Sequence, residues 1–301
     1  MLACGVQSMG AVSAAKQSGE SNVALARVSG LFWLKVGVVT ALIGIAFGPV
    51  LADMAHDWWT EPALSQGMLI PPLALYFAWC NRNWTFGQAA TPDARGLALT
   101  ALACVIFVIG KFASEDFTTR ISFVLLLAGL IWTFWGFPRL RTLGFPILLL
   151  ATMVPLPVML YNSLAAPLQL FASDMASRIA QAVGISIFRD GNIIQLAGIS
   201  LGVEEACSGL NSLSALTVGG LLFGYVLCSR VLLRAILVVA AIPLAIGINI
   251  VRVAGTAVLA DYNQEFAEGF YHAFAGYVVF VLGMGILYLL ARALHALADP
   301  K

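Results

Sequence analysis

Charge is what this chain has least of: 10% of its 301 residues are Asp, Glu, Lys or Arg, against about a quarter in a soluble domain. A water-facing surface cannot be built from so few ions, so a soluble globule is excluded. Clusters of basic residues are also missing, and 16 basic against 15 acidic residues leave a formal net charge of +1. Nucleic acid is therefore not an expected partner. The five cysteines (Cys4, Cys80, Cys104, Cys207 and Cys228) contain no C-x-x-C spacing, which argues against a disulfide or zinc framework. No apolar stretch occupies the first 30 residues, so they do not read as a cleavable signal peptide, and a cytoplasmic tail over 1–30 is expected. Leu2-Ala3-Cys4 hints at a lipobox, but nothing apolar precedes it.

What the chain does have is apolar surface. Hydrophobic residues make up 60% of it and fall into runs of about 20, the length a helix needs to cross a hydrocarbon core of ~30 Å. The expected fold is an all-α polytopic membrane protein of about eight transmembrane helices, at 31–52, 67–80, 96–113, 121–137, 144–163, 209–229, 235–257 and 270–291. The second run is short and holds Pro71 and Pro72, so it is the least regular as a crossing. One transmembrane domain over 31–295, with a short cytoplasmic tail at 296–301, accounts for the pattern. With the N-terminus in the cytoplasm, 11 of the 16 basic residues fall on the cytoplasmic side, as the positive-inside rule requires. Both termini are then cytoplasmic.

One stretch breaks the rhythm of short connections. Residues 164–206 are too polar to span, and on this topology they lie outside the cell. Ala166 to Ala182 mixes Leu168, Leu170, Phe171, Met175 and Ile179 with Gln169, Asp174 and Arg178, as expected of an interfacial helix. Beyond it, Ile185, Ile187, Ile193, Ile194 and Leu196 flank Arg189-Asp190-Gly191-Asn192, where Asp-Gly favours a tight hairpin turn. Such a segment either caps the bundle or docks a substrate.

Glu204-Glu205-Ala206-Cys207-Ser208-Gly209 stands where this segment meets the sixth run. A cysteine near a helix N-terminus has its thiolate favoured by the local partial charge and free N–H groups, and the same groups can bind an oxyanion. Cys80, Cys104 and Cys228 sit inside apolar runs, where a buried structural thiol is the default. Arg252 interrupts the seventh run, with Asn249 three residues earlier on the same helical face. An intramembrane charge marks function by default, and the bland alternative is an ion pair with Glu204, Glu205 or Asp261. His272 opens the eighth run, with Gly276 one turn on to admit a neighbouring backbone. His56 and His295 read as interfacial. Counted from Arg230, Arg234 and Arg292, the residues Cys207, Arg252 and His272 stand 23, 18 and 20 positions away, or heights of ~34, ~27 and ~30 Å. A nucleophile, an acid/base and a stabiliser of negative charge thus share one level near the outer boundary, which suits acyl transfer. Equal level does not by itself make them neighbours.

Glu205-Ala206-Cys207-Ser208-Gly209, Asn249-x-x-Arg252 and His272-x-x-x-Gly276 resemble, in order and spacing, the cysteine, arginine and histidine motifs of the exosortase/archaeosortase family. Val154-Pro155-Leu156-Pro157, Pro167-Leu168-Gln169 and Gly191-Asn192-Ile193-Ile194 extend the similarity over roughly 66–291, with Asn211 where many relatives have a basic residue. The resemblance implies a multi-pass protein of the bacterial inner membrane whose active site, Cys207, Arg252 and His272, opens on the periplasmic face. Its partners besides the lipid bilayer would be secreted proteins with a C-terminal Pro-Glu-Pro motif, a transmembrane helix and a basic tail, in settings associated with exopolysaccharide. The chemistry implied is cysteine protease or transpeptidase chemistry through a thioester, with no metal or organic cofactor. Two rivals are a membrane transporter, disfavoured because ionisable groups gather at the outer face and not at midplane sites, and a non-catalytic scaffold for polysaccharide export.

Overall fold

The computed structural model describes residues 30–82, 91–196, 199–202, 210–263 and 269–298, and the chain divides into two compact units at Val154/Pro155. The first unit runs α1 (Gly30–Thr60), a 3₁₀ turn (Ser65–Leu69), α2 (Ile70–Cys80), α3 (Arg95–Phe112), α4 (Asp116–Trp135), α5 (Phe137–Thr142) and α6 (Gly144–Ala151). The second runs α7 (Val158–Ala182), β1 (Phe188–Asp190), β2 (Ile193–Leu196), β3 (Ile199–Gly202), α8 (Leu210–Leu227), α9 (Val231–Tyr262) and α10 (Gly269–Ala298).

Among the described residues, five helices are long and apolar enough to cross a membrane: Gly37–Thr60, Arg95–Phe112, Asp116–Trp135, Val231–Tyr262 and Phe274–Ala298. The expected count of about eight is not confirmed, and three of the expected runs depart from a single long helix. Pro155 and Pro157 remove backbone donors and split the run 144–163 into α6 and α7. The run 67–80 becomes a 3₁₀ turn followed by an 11-residue helix. The sixth run is described as an apolar helix of shorter length, Asn211–Leu227.

In the first unit, α3 and α4 form an antiparallel hairpin whose seam alternates glycine with threonine. A Cβ on Gly129 would meet Thr100 Oγ1 at 2.6 Å, and one on Gly110 would meet Thr119 N at 2.7 Å, so the backbones touch as small residues permit in membranes. The threonine hydroxyls donate to their own helices, Thr100 to Gly96 O (3.0 Å) and Thr119 to Glu115 O (2.9 Å). Glu115 caps α4 by accepting from Phe117 N (3.3 Å) and Thr118 N (2.5 Å). Partial burial alone would raise its pKa, but these hydrogen bonds and the nearby Arg120 charge outweigh it and hold the carboxyl below its ordinary range.

Buried Arg120 binds Asp57 at 2.6 Å, so the end of α1 is level with the start of α4. Asp93 N donates to Thr133 O (3.3 Å), which sets the start of α3 at the opposite end. Between them, Gly67 seats against the Trp58 indole, and Phe77 meets Phe145 edge-on at 5.1 Å at the start of α6. Ser65–Cys80 therefore returns from one end of the hairpin to the other, a rise of about 26 Å, although no helix within it is long enough alone.

In the second unit, α8, α9 and α10 enclose a core of Leu216, Leu237, Ala241, Ala245, Leu287 and Ala291, and Arg230 Nη2 donates to Ala298 O (3.4 Å) to tie the start of α9 to the end of α10. The interfacial helix expected over 166–182 begins earlier, at Val158, and runs through Pro167. It buries Ala165, Ala172, Ser173, Ala176, Ser177 and Ala180 and leaves Leu164, Leu170, Phe171 and Ile179 exposed. The expected hairpin is present, with Asp190 paired to Ile193 across Gly191 and Asn192. Gly191 has φ +61 and Asn192 is not among the positive-φ residues, the signs of a type II′ turn with glycine first. A third strand, not anticipated, pairs antiparallel with β2 through Ile194↔Leu201 and Gln195↔Ser200. Ser173 Oγ donates to Gly191 O (3.0 Å), and Asp174 holds Arg189 (3.3 Å) and Arg178 (3.0 Å), so the hairpin is clamped on α7.

Candidate active site

Arg252 stands on α9 where that helix receives the sheet. Its neighbours Val253 and Ala254 are buried in one cluster with Ala176, Ile194 and Leu196, so helix α7, the sheet and α9 share apolar packing beside the arginine. Asn249, one turn earlier, is 2% exposed, and Thr256 Oγ1 donates to Arg252 O (3.0 Å). The guanidinium lies across Gly276 of α10: a Cβ built there sits 3.4 Å from Arg252 Cζ, 3.5 Å from Nε and 3.6 Å from Nη2. This contact sets Arg252 against the helix that carries His272, one turn from that residue. The glycine leaves the space that the guanidinium plane occupies.

The start of α8 falls at the same level. Gly224 seats on Arg234 (3.3 Å) and Gly220 on Val238 (3.4 Å), paired numbers that total 458 in both cases, so the antiparallel register sets Leu210 beside Ile248. Gly219 meets Met284 (2.7 Å) in a parallel register offset by 65, which sets Leu210 beside Ala275. Arginine side chains on a helix lean toward its N-terminus, so the Arg252 guanidinium hangs toward that same level. Tyr161 at the start of α7 reaches Asn211 Oδ1 at 3.5 Å, a residue pair that sequence reasoning did not assign; nothing in an apolar run singles out Tyr161.

Glu204, Glu205, Cys207, Ser208 and Gly209 lie outside the described residues, as does the side chain of His272. Three peptide units join Cys207 to Leu210, a reach of at most about 11 Å. Of the carboxylates weighed as partners for Arg252, Asp261 is exposed and nine residues along α9, about 13 Å in rise, on the side away from which the arginine leans. A direct ion pair between them is excluded.

Of the three cysteines expected to be buried thiols, one is buried. Cys104 is exposed on α3, Cys80 is half-buried, and Cys228 is buried in the connection between α8 and α9. Burial pushes the Cys228 thiol up, opposed by the Arg234 charge, which suits an inert structural thiol. Among the described residues no group of three His, Cys, Asp or Glu is gathered to hold a metal. A shallow depression lined by Gln181, Gly184, Ile185, Ser186, Ile187, Phe188, Gln195 and Leu196 contains none of the candidate residues.

The family model described as transmembrane exosortase (Exosortase_EpsH) matches residues 58–289, about three quarters of the chain. No curated protein and no solved structure matches it.

Proposed function

Since the chain belongs to the transmembrane exosortase family, we propose that it is a membrane-embedded cysteine peptidase or transpeptidase acting through Cys207, Arg252 and His272. The observation that carries the reading is the Arg252 guanidinium laid on Gly276, one turn from His272 and level with the start of the helix that follows Cys207. A guanidinium half-buried at a helix seam presents fixed donors to an oxyanion where water is scarce.

In this mechanism the Cys207 thiolate attacks the scissile carbonyl, and Arg252 donates to the oxygen as it becomes negative. The C–N bond breaks, His272 gives a proton to the departing amine, and a thioester joins substrate to Sγ. Water, or a hydroxyl or amine of a lipid or glycan, then yields its proton to His272 and displaces the sulfur. Glu205, Ser208, Gly209 and Asn249 support the geometry around the nucleophile and the arginine. The substrates are secreted proteins ending in a Pro-Glu-Pro motif, an apolar helix and a basic tail. The enzyme sits in the bacterial inner membrane with both termini cytoplasmic and its site on the outer face.

The test is mass spectrometry of the C-terminus of a tagged protein of that design, co-expressed with the enzyme. A variant lacking Cys4, Cys80, Cys104 and Cys228 is expected to cut it and reveal any attached moiety, while Cys207→Ala leaves it whole. The opposite result overturns the assignment.

A further inference from the structure

We propose that Tyr161 is a positioning residue for the reaction: its hydroxyl fixes the head of α8, and through it the placement of Cys207 against Arg252. The inference rests on the functional reading above and names a residue that the site needs without its touching substrate.

Helix α7 starts just after Pro155 and Pro157, and Tyr161 lies in its first turn, with its N–H donating to Pro157 O (2.8 Å). Val158, Met159, Leu160, Asn162, Ser163 and Leu164 around it are exposed, whereas Tyr161 is half-buried and Ala165, one turn on, is buried. Tyr161 and Ala165 therefore form the inward stripe of this end of the helix. Further along, α7 is anchored on the helix that carries Arg252, where Ala176 packs with Val253 and Ala254. Its first turn reaches α8 instead, through the Tyr161 hydroxyl donating to Asn211 Oδ1 at 3.5 Å. One helix thus takes its position from α9 and passes it to α8.

The head of α8 needs such a tie. The close glycine contacts that seat this helix are at Gly219, Gly220 and Gly224, and Gly219 is eight residues from Asn211, a rise of about 12 Å. Beyond them Leu216 is buried, but Asn211, Ser212 and Leu213 are half-buried and Ser214 is exposed. Asn211 follows Cys207 by four residues, a reach of at most about 14 Å. The antiparallel register of α8 and α9 sets Asn211 beside Gly247, and Arg252, five residues along α9, leans back toward that level. A shift of the head of α8 therefore changes the separation of thiol and guanidinium directly. At 3.5 Å the hydrogen bond is long and contributes little to stability. Its effect is on placement, where an error of about 1 Å costs on the order of 10²-fold in rate.

The test uses the full-length enzyme in nanodiscs with the tagged substrate described above, and a version lacking Cys4, Cys80, Cys104 and Cys228 for alkylation of Cys207 by iodoacetamide. Tyr161→Phe removes the donor and keeps the ring. It is expected to lower kcat about tenfold with KM unchanged, since the nucleophile moves and the docking surface does not. It is also expected to slow alkylation, because a displaced thiol loses the α8 N–H groups that favour its thiolate. Asn211→Leu removes the acceptor and is expected to reproduce both effects, with the double variant no slower than either single one. A purely structural bond would lower the thermal midpoint and leave both kcat of the folded enzyme and the alkylation rate as they were. That result, a change confined to KM, or losses that multiply in the double variant overturns the positioning and, with Cys207→Ala inactive, spares the function. Should Tyr161→Phe fail to fold, Asn211→Leu carries the same expectations alone. Alkylation that depends on Tyr161 and Asn211 as one unit, in an enzyme that never cuts, upholds the positioning and removes the function.

Discussion

Gly276 is the position where the proposed chemistry can be graded by single methyl groups. A Cβ there lies 3.4 Å from Arg252 Cζ, ordinary van der Waals contact, so Gly276→Ala leaves the guanidinium in place. Alanine also favours the helix over glycine by about 1 kcal/mol, and a small rise in thermal stability is expected with a rate within about tenfold of the parent, 1.4 kcal/mol. Valine carries methyls about 1.5 Å further out, which brings them to roughly 2 Å from the guanidinium and forces it aside by 1 Å or more. A displacement of that size at a positioned catalytic group costs on the order of 10²-fold. The assay is initial cleavage of the tagged substrate in nanodiscs, with the thermal midpoint of each variant measured in parallel. Parental rates from a well-folded Gly276→Val enzyme refute the claim that the guanidinium acts from its seat on this helix.

The remaining expectations are shorter. Arg252→Lys keeps the charge but loses the planar fork, so it is expected to fold and bind substrate while cutting 10²- to 10³-fold more slowly; normal cleavage would move the oxyanion site to backbone N–H groups near Cys207. Cysteine in place of Asn192, in the hairpin turn, should react with a membrane-impermeant thiol reagent in intact spheroplasts, and labelling only after lysis reverses the topology. Glu115 has a depressed pKa in the folded state, so the stability it contributes is complete above its ordinary value near 4.5 and is lost as pH falls through the lower folded value. Glu115→Ala should therefore lower stability by about 1 kcal/mol at neutral pH and shrink that difference in acid, as thermal melts across pH 3–7 would record; a gap that widens in acid contradicts the capping role.

Hydropathy registers how apolar a stretch is and not whether its helix continues, which is why the membrane class was legible and the number of crossings was not. Pro155 and Pro157 interrupt a run that composition alone reads as one span. The hairpin was legible because Asp190-Gly191-Asn192 sits between alternating isoleucines; β3 carries the same alternation in Ile199 and Leu201, but no Asp-Gly pair precedes it to mark a turn. For the site, height along each helix could be counted from flanking arginines, which is why Cys207, Arg252 and His272 were expected at one level. The contact between them depends on how α9 and α10 face each other, which no local pattern encodes. The Asp57–Arg120 pair is 63 positions apart and equally invisible along the chain.

The three glycines of α8 have a bearing on where loss of activity can originate. Gly219, Gly220 and Gly224 bring this helix onto Met284, Val238 and Arg234, so it is held closely between two others. The lowest wedge, Gly224, is about 21 Å from the end that leads to Cys207. A rigid rod transmits a tilt along its whole length, so a methyl added at the Gly224 end swings the end that leads to Cys207 through a comparable arc. Selection for inactive but well-expressed variants should then recover substitutions at these remote glycines alongside those at the site, and drift in this protein should be as restricted at the foot of α8 as at its head.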